Sequence, residues 1–253
     1  MTEPPEKIDA GYYFSKASDL QEKGELDNAI VNYNKALEIK PDYSAAWYNM
    51  GLAYDDKGEN NEAIRCYNKA VEIKPDNHDA WYNLSIAYYS KGEYDETIRC
   101  CSEAVKIKPD DHDAWYNMAN AYGKKGENDD AIRCYIEAVK IKPDKFEAWN
   151  NMGNTYGDKG EYGEVIRCFN EAVKIKPDFH EAWDNMGIAY NKMGIAYSEK
   201  GEYDEAIGCF NKAVEVKPDY HEAWSNMGFT YNNMGIAYGE KGKYDEAIGC
   251  FNK

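Results

Sequence analysis

No stretch of the 253-residue chain resembles a transmembrane span or a secretory signal. It has no Gly-rich phosphate loop, no nucleophile elbow and no Cys-x2–4-Cys spacing, so no catalytic residue, cofactor or metal site is expected. Histidine is scarce: the four residues His78, His112, His180 and His221 are too dispersed for a metal site or a base beside a nucleophile. Positive charge is in deficit, with 30 Lys and Arg against 46 Asp and Glu, a net charge of −16. Such a field repels nucleic acid and anionic lipid and favours neutral or basic partners. The seven cysteines, an odd number, suit a reducing compartment better than a disulfide framework. A cytoplasmic location is therefore expected.

What the chain does contain is a period. Trp47-Tyr-Asn-Met-Gly-Leu-Ala-Tyr54 returns in kind from Trp81, Trp115, Trp149, Trp183 and Trp224. The first four steps are 34 residues and the last is 41. Pro41, Pro75, Pro109, Pro143, Pro177 and Pro218 keep the same beat. A fixed period of this size predicts a solenoid, in which each repeat packs on its neighbours. The expected units are 10–43, 44–77, 78–111, 112–145, 146–179, 180–220 and an incomplete 221–253, after a loose leader over 1–9.

Within 44–77, Trp47, Met50, Gly51 and Tyr54 fall at i, i+3, i+4 and i+7, an apolar helical stripe. Gly58 suits a left-handed stop. Asn61 is a candidate cap for a second helix carrying Ala63, Ile64, Tyr67, Ala70 and Val71, which Pro75 ends. Small residues let the backbones approach while Trp47, Tyr54 and Tyr67 fill the space. At the junctions, Asp76, Asp110, Asp144, Asp178 and Asp219 are each followed three positions later by Asp79, Asp113, Glu147, Glu181 and Glu222. That pattern predicts N-caps with capping-box partners.

Trp47, Met50, Gly51, Tyr54, Ala63, Tyr67, Ala70 and Pro75 in a 34-residue frame resemble the tetratricopeptide repeat family. The resemblance covers roughly residues 10–253. It implies an all-α, right-handed superhelical solenoid of antiparallel helix hairpins that works as a non-catalytic protein-interaction scaffold. Ser85 and Ala119 depart from the pattern at the Gly position, Thr97 and Val165 at the first Ala, and Cys101 at the aromatic. The first unit is degenerate, with Tyr13 for Trp and Lys16 at an apolar position, as in a capping repeat with one wet face.

The resemblance places the first helices along a concave groove. Asn49, Asn83, Asn117, Asn151, Asn185 and Asn226, two residues after each Trp, point away from the hairpin core. Each offers a donor and an acceptor to a peptide backbone; the competing reading is amide bonding that ties successive repeats together. Tyr48, Tyr82 and Tyr116 add contact surface before Asn150, Asp184 and Ser225 replace them, and Asn120 and Asn154 lie one turn on. Some members grip a partner's C-terminal carboxylate with Lys and Arg. Here Asp79, Asp113, Glu147, Glu181 and Glu222 hold the corresponding places, so a neutral or basic peptide, extended or helical, is the expected partner. Arg65, Arg99, Arg133 and Arg167 read as a solvated row, replaced by Gly208 and Gly249. Cys66, Cys100, Cys134, Cys168, Cys209 and Cys250 read as small semi-buried thiols.

The last two units duplicate seven residues: Met186 to Tyr190 returns as Met193 to Tyr197, and Met227 to Tyr231 as Met234 to Tyr238. Seven residues is nearly two turns, so the apolar stripe stays in phase along a longer first helix; a break at Gly194 or Gly235 is the alternative. Met193 keeps the usual distance to the second helix. Trp183 and Trp224 then overhang and are expected to pack on a neighbouring unit or a second chain. With Phe251 near an uncapped C-terminal end, they are the candidate self-association residues. A self-assembling structural module, possible as a homo-oligomer through that end, is the alternative function.

Overall fold

The computed structural model describes residues 9–252, without the side chains of Tyr244 and Phe251. The expected leader therefore lies outside the described residues except for Asp9, whose carboxylate accepts from Tyr12 N and caps the first helix. All fourteen elements among the described residues are α-helices, in consecutive antiparallel pairs. The chain divides into two compact units at Ile141/Lys142.

In the first, α1 (Ala10–Glu22) pairs with α2 (Leu26–Ile39), α3 (Ser44–Asp56) with α4 (Asn60–Ile73), α5 (His78–Ser90) with α6 (Tyr94–Ile107), and α7 (His112–Lys125) with α8 (Asn128–Ile141). In the second, α9 (Phe146–Asp158) pairs with α10 (Tyr162–Ile175), α11 (His180–Glu199) with α12 (Tyr203–Val216), and α13 (His221–Glu240) with α14 (Tyr244–Phe251). Within each unit, a second helix packs on the first helix of the following pair, so both faces of an inner helix are used.

Each hairpin turns at a glycine with positive φ: Gly24, Gly58, Gly92, Gly126, Gly160, Gly201 and Gly242 lie between 72° and 78°. This left-handed conformation costs a side chain energy that glycine escapes. Beyond the turn, large meets small. Tyr67 is fully buried, and a Cβ on Gly51 would stand 2.5 Å from its ring. Met50, Ala53 and Tyr67 share the clusters that join α3 and α4 to their neighbours. Ser85 and Cys101 are a matched departure: the extra Oγ on α5 faces a thiol instead of a ring, and both side chains are fully buried.

Three sequence expectations shift. The N-caps fall one residue later than the junction aspartates, at Asn77, Asp111, Lys145, Phe179 and Tyr220. Asn77 Oδ1 accepts from Ala80 N, and Asp111 Oδ1 from Asp113 N and Ala114 N; the other three make no side-chain cap. Asp79, Asp113, Glu147, Glu181 and Glu222 consequently lie inside the first turn, where they meet the helix dipole instead of closing a capping box. Asn61 likewise falls inside the first turn of α4, whose N-cap is Glu59.

The seven-residue duplication is continuous helix: α11 and α13 have 20 residues where α3, α5 and α9 have 13. The later copy faces its own second helix, since a Cβ on Gly194 would stand 2.7 Å from the Phe210 ring. The earlier copy rests on the preceding pair: Ala182, Met186 and Ala189 are buried with Val165, Phe169 and Val173 of α10. Each long helix thus offsets the following hairpin by about two turns, or ~10 Å.

Candidate functional site

The first-helix asparagines engage the preceding hairpin. In the first unit, Asn83 Nδ2 donates to Tyr48 Oη at 3.0 Å, and Asn49 and Asn117 hydrogen-bond Tyr33 and Tyr82. In the second, Asn185 Nδ2 donates to Asn154 Oδ1 at 3.2 Å. Asn226 Nδ2 donates to Asn191 Oδ1 at 3.1 Å. Asn191 is 1% exposed and belongs to the duplicated segment. It stands 35 residues before Asn226, the same interval that separates Tyr48 from Asn83. Asn191 thus takes over the place of the tyrosine, whereas Asn154 lies one turn beyond that place, 31 residues before Asn185.

Within each unit these asparagines therefore tie a first helix to the preceding hairpin: Asn83, Asn117, Asn185 and Asn226 reach its first helix and Asn49 its second. By donor count, Asn83 keeps a carbonyl oxygen and a second N–H. Asn49, Asn83, Asn117, Asn151, Asn185 and Asn226 are all half-buried. Asn151 Oδ1 accepts from Asn150 Nδ2 at 3.4 Å, and Asn120 Oδ1 from Tyr135 Oη at 2.6 Å. Asn154 is exposed.

Tyr48, Tyr82 and Tyr116 are half-buried, and the Tyr48 and Tyr116 rings lean on Tyr67 and Tyr135 at 5.9 and 6.0 Å. Burial, then the nearby Asp113 carboxylate, pushes the Tyr82 phenol up to about 12. Burial and Asp79 raise that of Tyr48. The junction acids thus project their field onto the tyrosine row.

Two regularities on the opposite side of the hairpins were not read from the sequence. Each Trp indole N–H donates to the carbonyl of the Pro six residues earlier, at 2.9–3.1 Å, which locks the inter-hairpin turn to the following helix. Arg65, Arg99 and Arg167 lie over Trp47, Trp81 and Trp149 at 5.4–5.7 Å. They also pair with Glu62, Glu96 and Glu164 three residues earlier. The arginine row is exposed, as expected of a solvated face, and three of its four members also stack on a tryptophan. Gly208 replaces Arg where the longer α11 has carried Trp183 two turns away.

The cysteines are all free and buried. Burial pushes the thiols of Cys66, Cys100, Cys101, Cys134 and Cys168 up to about 12, so they stay protonated and unreactive. Among the described residues, no group of three or more His, Cys, Asp or Glu is placed to hold a metal. No described helix is long and apolar enough to cross a membrane.

Trp183 is half-buried on the cluster around α10, whereas Trp224 is 50% exposed. The Phe251 side chain lies outside the described residues.

A TPR repeat family model matches residues 19–58, 56–92, 86–126 and 124–160, and a second, tetratricopeptide repeat model matches 144–219 and 185–253. The chain belongs to the tetratricopeptide repeat family. A crystal structure of MamA protein superposes with a TM-score of 0.65 at 28% identity, over 66% of this chain and 92% of that one. A tetratricopeptide repeat protein from Parabacteroides merdae shares the fold at 17% identity and TM-score 0.63, over 88% and 99%. So does YrrB, described as a TPR protein with an unusual peptide-binding site, at 21% identity and TM-score 0.60, over 76% and 96%. In sequence, an uncharacterized Methanocaldococcus jannaschii protein is 41% identical over 44 residues. That match spans 17% of this chain and about half, 51%, of the relative.

Proposed function

We propose that the chain is a non-catalytic protein-interaction scaffold that holds a neutral or basic peptide segment along the face made by its first helices. Family membership supports the scaffold role, and YrrB supplies a fold relative with a peptide-binding site. The observation that carries the finer reading is the half-buried amide column of Asn49, Asn83 and Asn117, with Asn185 and Asn226 in the second unit. Fixed by its link to the preceding hairpin, each amide is oriented in advance, which lowers the entropy lost on binding. The tyrosines beside them offer rigid amphipathic surface, and the acids of the first turns favour basic residues. A cytoplasmic setting completes the proposal.

The test is capture on the immobilised chain, comparing wild type with Asn83→Ala and Asn117→Ala. Loss of the wild-type partners in both variants, with helicity unchanged, supports the reading. Equal capture by all three proteins overturns it.

A second reading, self-assembly, is favoured by one observation. Trp224, Phe229, Ile236 and Ile248 of the last hairpin are 49–67% exposed. These exposed apolar side chains are candidate contacts for a second copy.

A further inference from the structure

Twelve residues before each core aromatic of the second helices stands its partner across the hairpin turn. In the first two hairpins the partner is polar and the aromatic carries a hydroxyl. Tyr33 Oη donates to Gln21 Oε1 at 2.9 Å and Tyr67 Oη to Asp55 Oδ2 at 2.6 Å. In the second unit the hydroxyl is gone and the partner is smaller: Gly157 lines one cavity with Phe169, and Ser198, whose hydroxyl bonds Thr230 at 3.0 Å, lines another with Phe210. A cavity opens at each place, about 310 Å³ over Phe169 and about 190 Å³ over Phe210. Either volume holds several waters, at ~30 Å³ apiece.

The two cavities are one design repeated. Asn154, Asp158, Asn185 and Ile188 line the first, and Ile195, Glu199, Asn226 and Phe229 stand at the same places 41 residues on. The second wall of each is a 20-residue helix, so Lys192 and Asn233 extend it where α5 stops at Ser90. Their differences are chemical. The first cavity balances Asp158 with Lys192, whose ammonium lies 5.9 Å from the Tyr162 ring. The second keeps an acid, Glu199, and replaces the lysine with Asn233. Phe229, 67% exposed, leaves an aromatic flank beside it.

We infer that these cavities are side-chain subsites for one basic peptide: the Phe210 cavity takes a lysine or arginine, its stem between Ile195 and Phe229 above the buried Phe210 ring and its cation on Glu199, and the Phe169 cavity takes an uncharged side chain. This rests on the peptide-binding reading and assigns its specificity. The acidic rim and the net charge of −16 supply the complementarity. Neighbouring helices lie about 8–10 Å apart and the offset between hairpins adds ~10 Å. The subsites are thus roughly four residues apart on an extended peptide.

The probe is a set of fluorescein-labelled Gly/Ser decapeptides carrying one Leu and one Arg two to six residues apart, with citrulline replacing Arg as the neutral control. Anisotropy is expected to show the tightest binding near a spacing of four. Citrulline and Glu199→Gln should each weaken it about fivefold, the size of one partly exposed ion pair. Phe210→Tyr with Ser198→Gln refills the cavity after the pattern of Tyr33 and Gln21, and should abolish the Arg preference while the fold is kept. Arg and citrulline peptides binding alike, Glu199→Gln binding as wild type, or no binding to wild type overturns the inference. The groove reading is judged separately, by partner capture in Asn83→Ala and Asn117→Ala, where these cavities are intact.

Discussion

Gly194 and Phe210 are in such close approach that a Cβ on the glycine would meet three ring carbons at 2.7–2.9 Å. Gly187, seven residues earlier on the same helix, has nothing nearer its missing Cβ than Lys217 Cβ at 3.5 Å. Two glycines in near-identical local sequence thus have different duties, because the later copy is pressed against the Phe210 ring of α12 whereas the earlier copy meets only the C-terminal end of that helix, at ordinary contact distance.

That asymmetry is measurable. Gly187→Ala should stabilise by up to about 1 kcal/mol, the helix-propensity gain. Gly194→Ala receives the same gain but forces a fully buried ring to move, a cost of about 1–3 kcal/mol. Urea unfolding should therefore place Gly194→Ala below Gly187→Ala by that 1–3 kcal/mol. Equal stability would mean that the earlier copy is in register.

The arginine stacking predicts a dependence on the partner tryptophan. Arg99 over Trp81 at 5.4 Å should show a coupling of about 0.5–1 kcal/mol in a double-mutant cycle of Arg99→Ala and Trp81→Leu. Gly208→Arg should gain nothing over Gly208→Ala, since Trp183 lies two turns away. A clear advantage for the arginine would contradict the offset.

The buried thiols predict alkaline sensitivity. Unfolded cysteine ionises near pH 8.5, whereas Cys66, Cys100, Cys101, Cys134 and Cys168 stay protonated to about 12 when folded. Between those values the unfolded chain holds fewer protons, so stability falls as pH rises. Below about pH 8 their contribution is fully present. Unfolding midpoints should drop between pH 9 and 11, less steeply after Cys66→Ala with Cys168→Ala. At pH 8 the native thiols should resist alkylation that the urea-unfolded chain undergoes. Rapid native labelling at the five would show them to be accessible.

The exposed apolar side chains of the last hairpin predict self-association. Sedimentation at rising concentration should shift toward larger species for wild type, and less so for Phe229→Ser with Ile236→Ser. A strict monomer at high concentration, or an unchanged shift in the variant, would remove this second reading.

Much of the hairpin was legible because its signals are local. Gly58 ends its helix as a left-handed residue, Gly51 meets Tyr67, and Met193 keeps the distance that pairs the second copy. The cap position was not legible. Asp76 and Asn77 are both good cap formers, and Lys145, Phe179 and Tyr220 hold the same place with no capping group. The Trp-to-Pro bonds and the Arg stacking depend on the rotation of one helix against another, which the spacing leaves open. Asn191 was hidden for the same reason: only the offset brings it to Asn226. The asparagine column was legible as a column, but its links to Tyr48 and Asn154 emerge once neighbouring first helices are set side by side.

The most direct test is a nitrogen-15 NMR spectrum recorded as a captured basic peptide is added, since Asn side-chain amides and Arg Nε groups are both visible. The account predicts that the amide signals of Asn83, Asn117 and Asn226 shift in proportion to occupancy while the Arg65, Arg99 and Arg167 Nε signals stay in place. Shifts confined to the arginines, with the asparagines silent, would put the partner on the opposite face and contradict it.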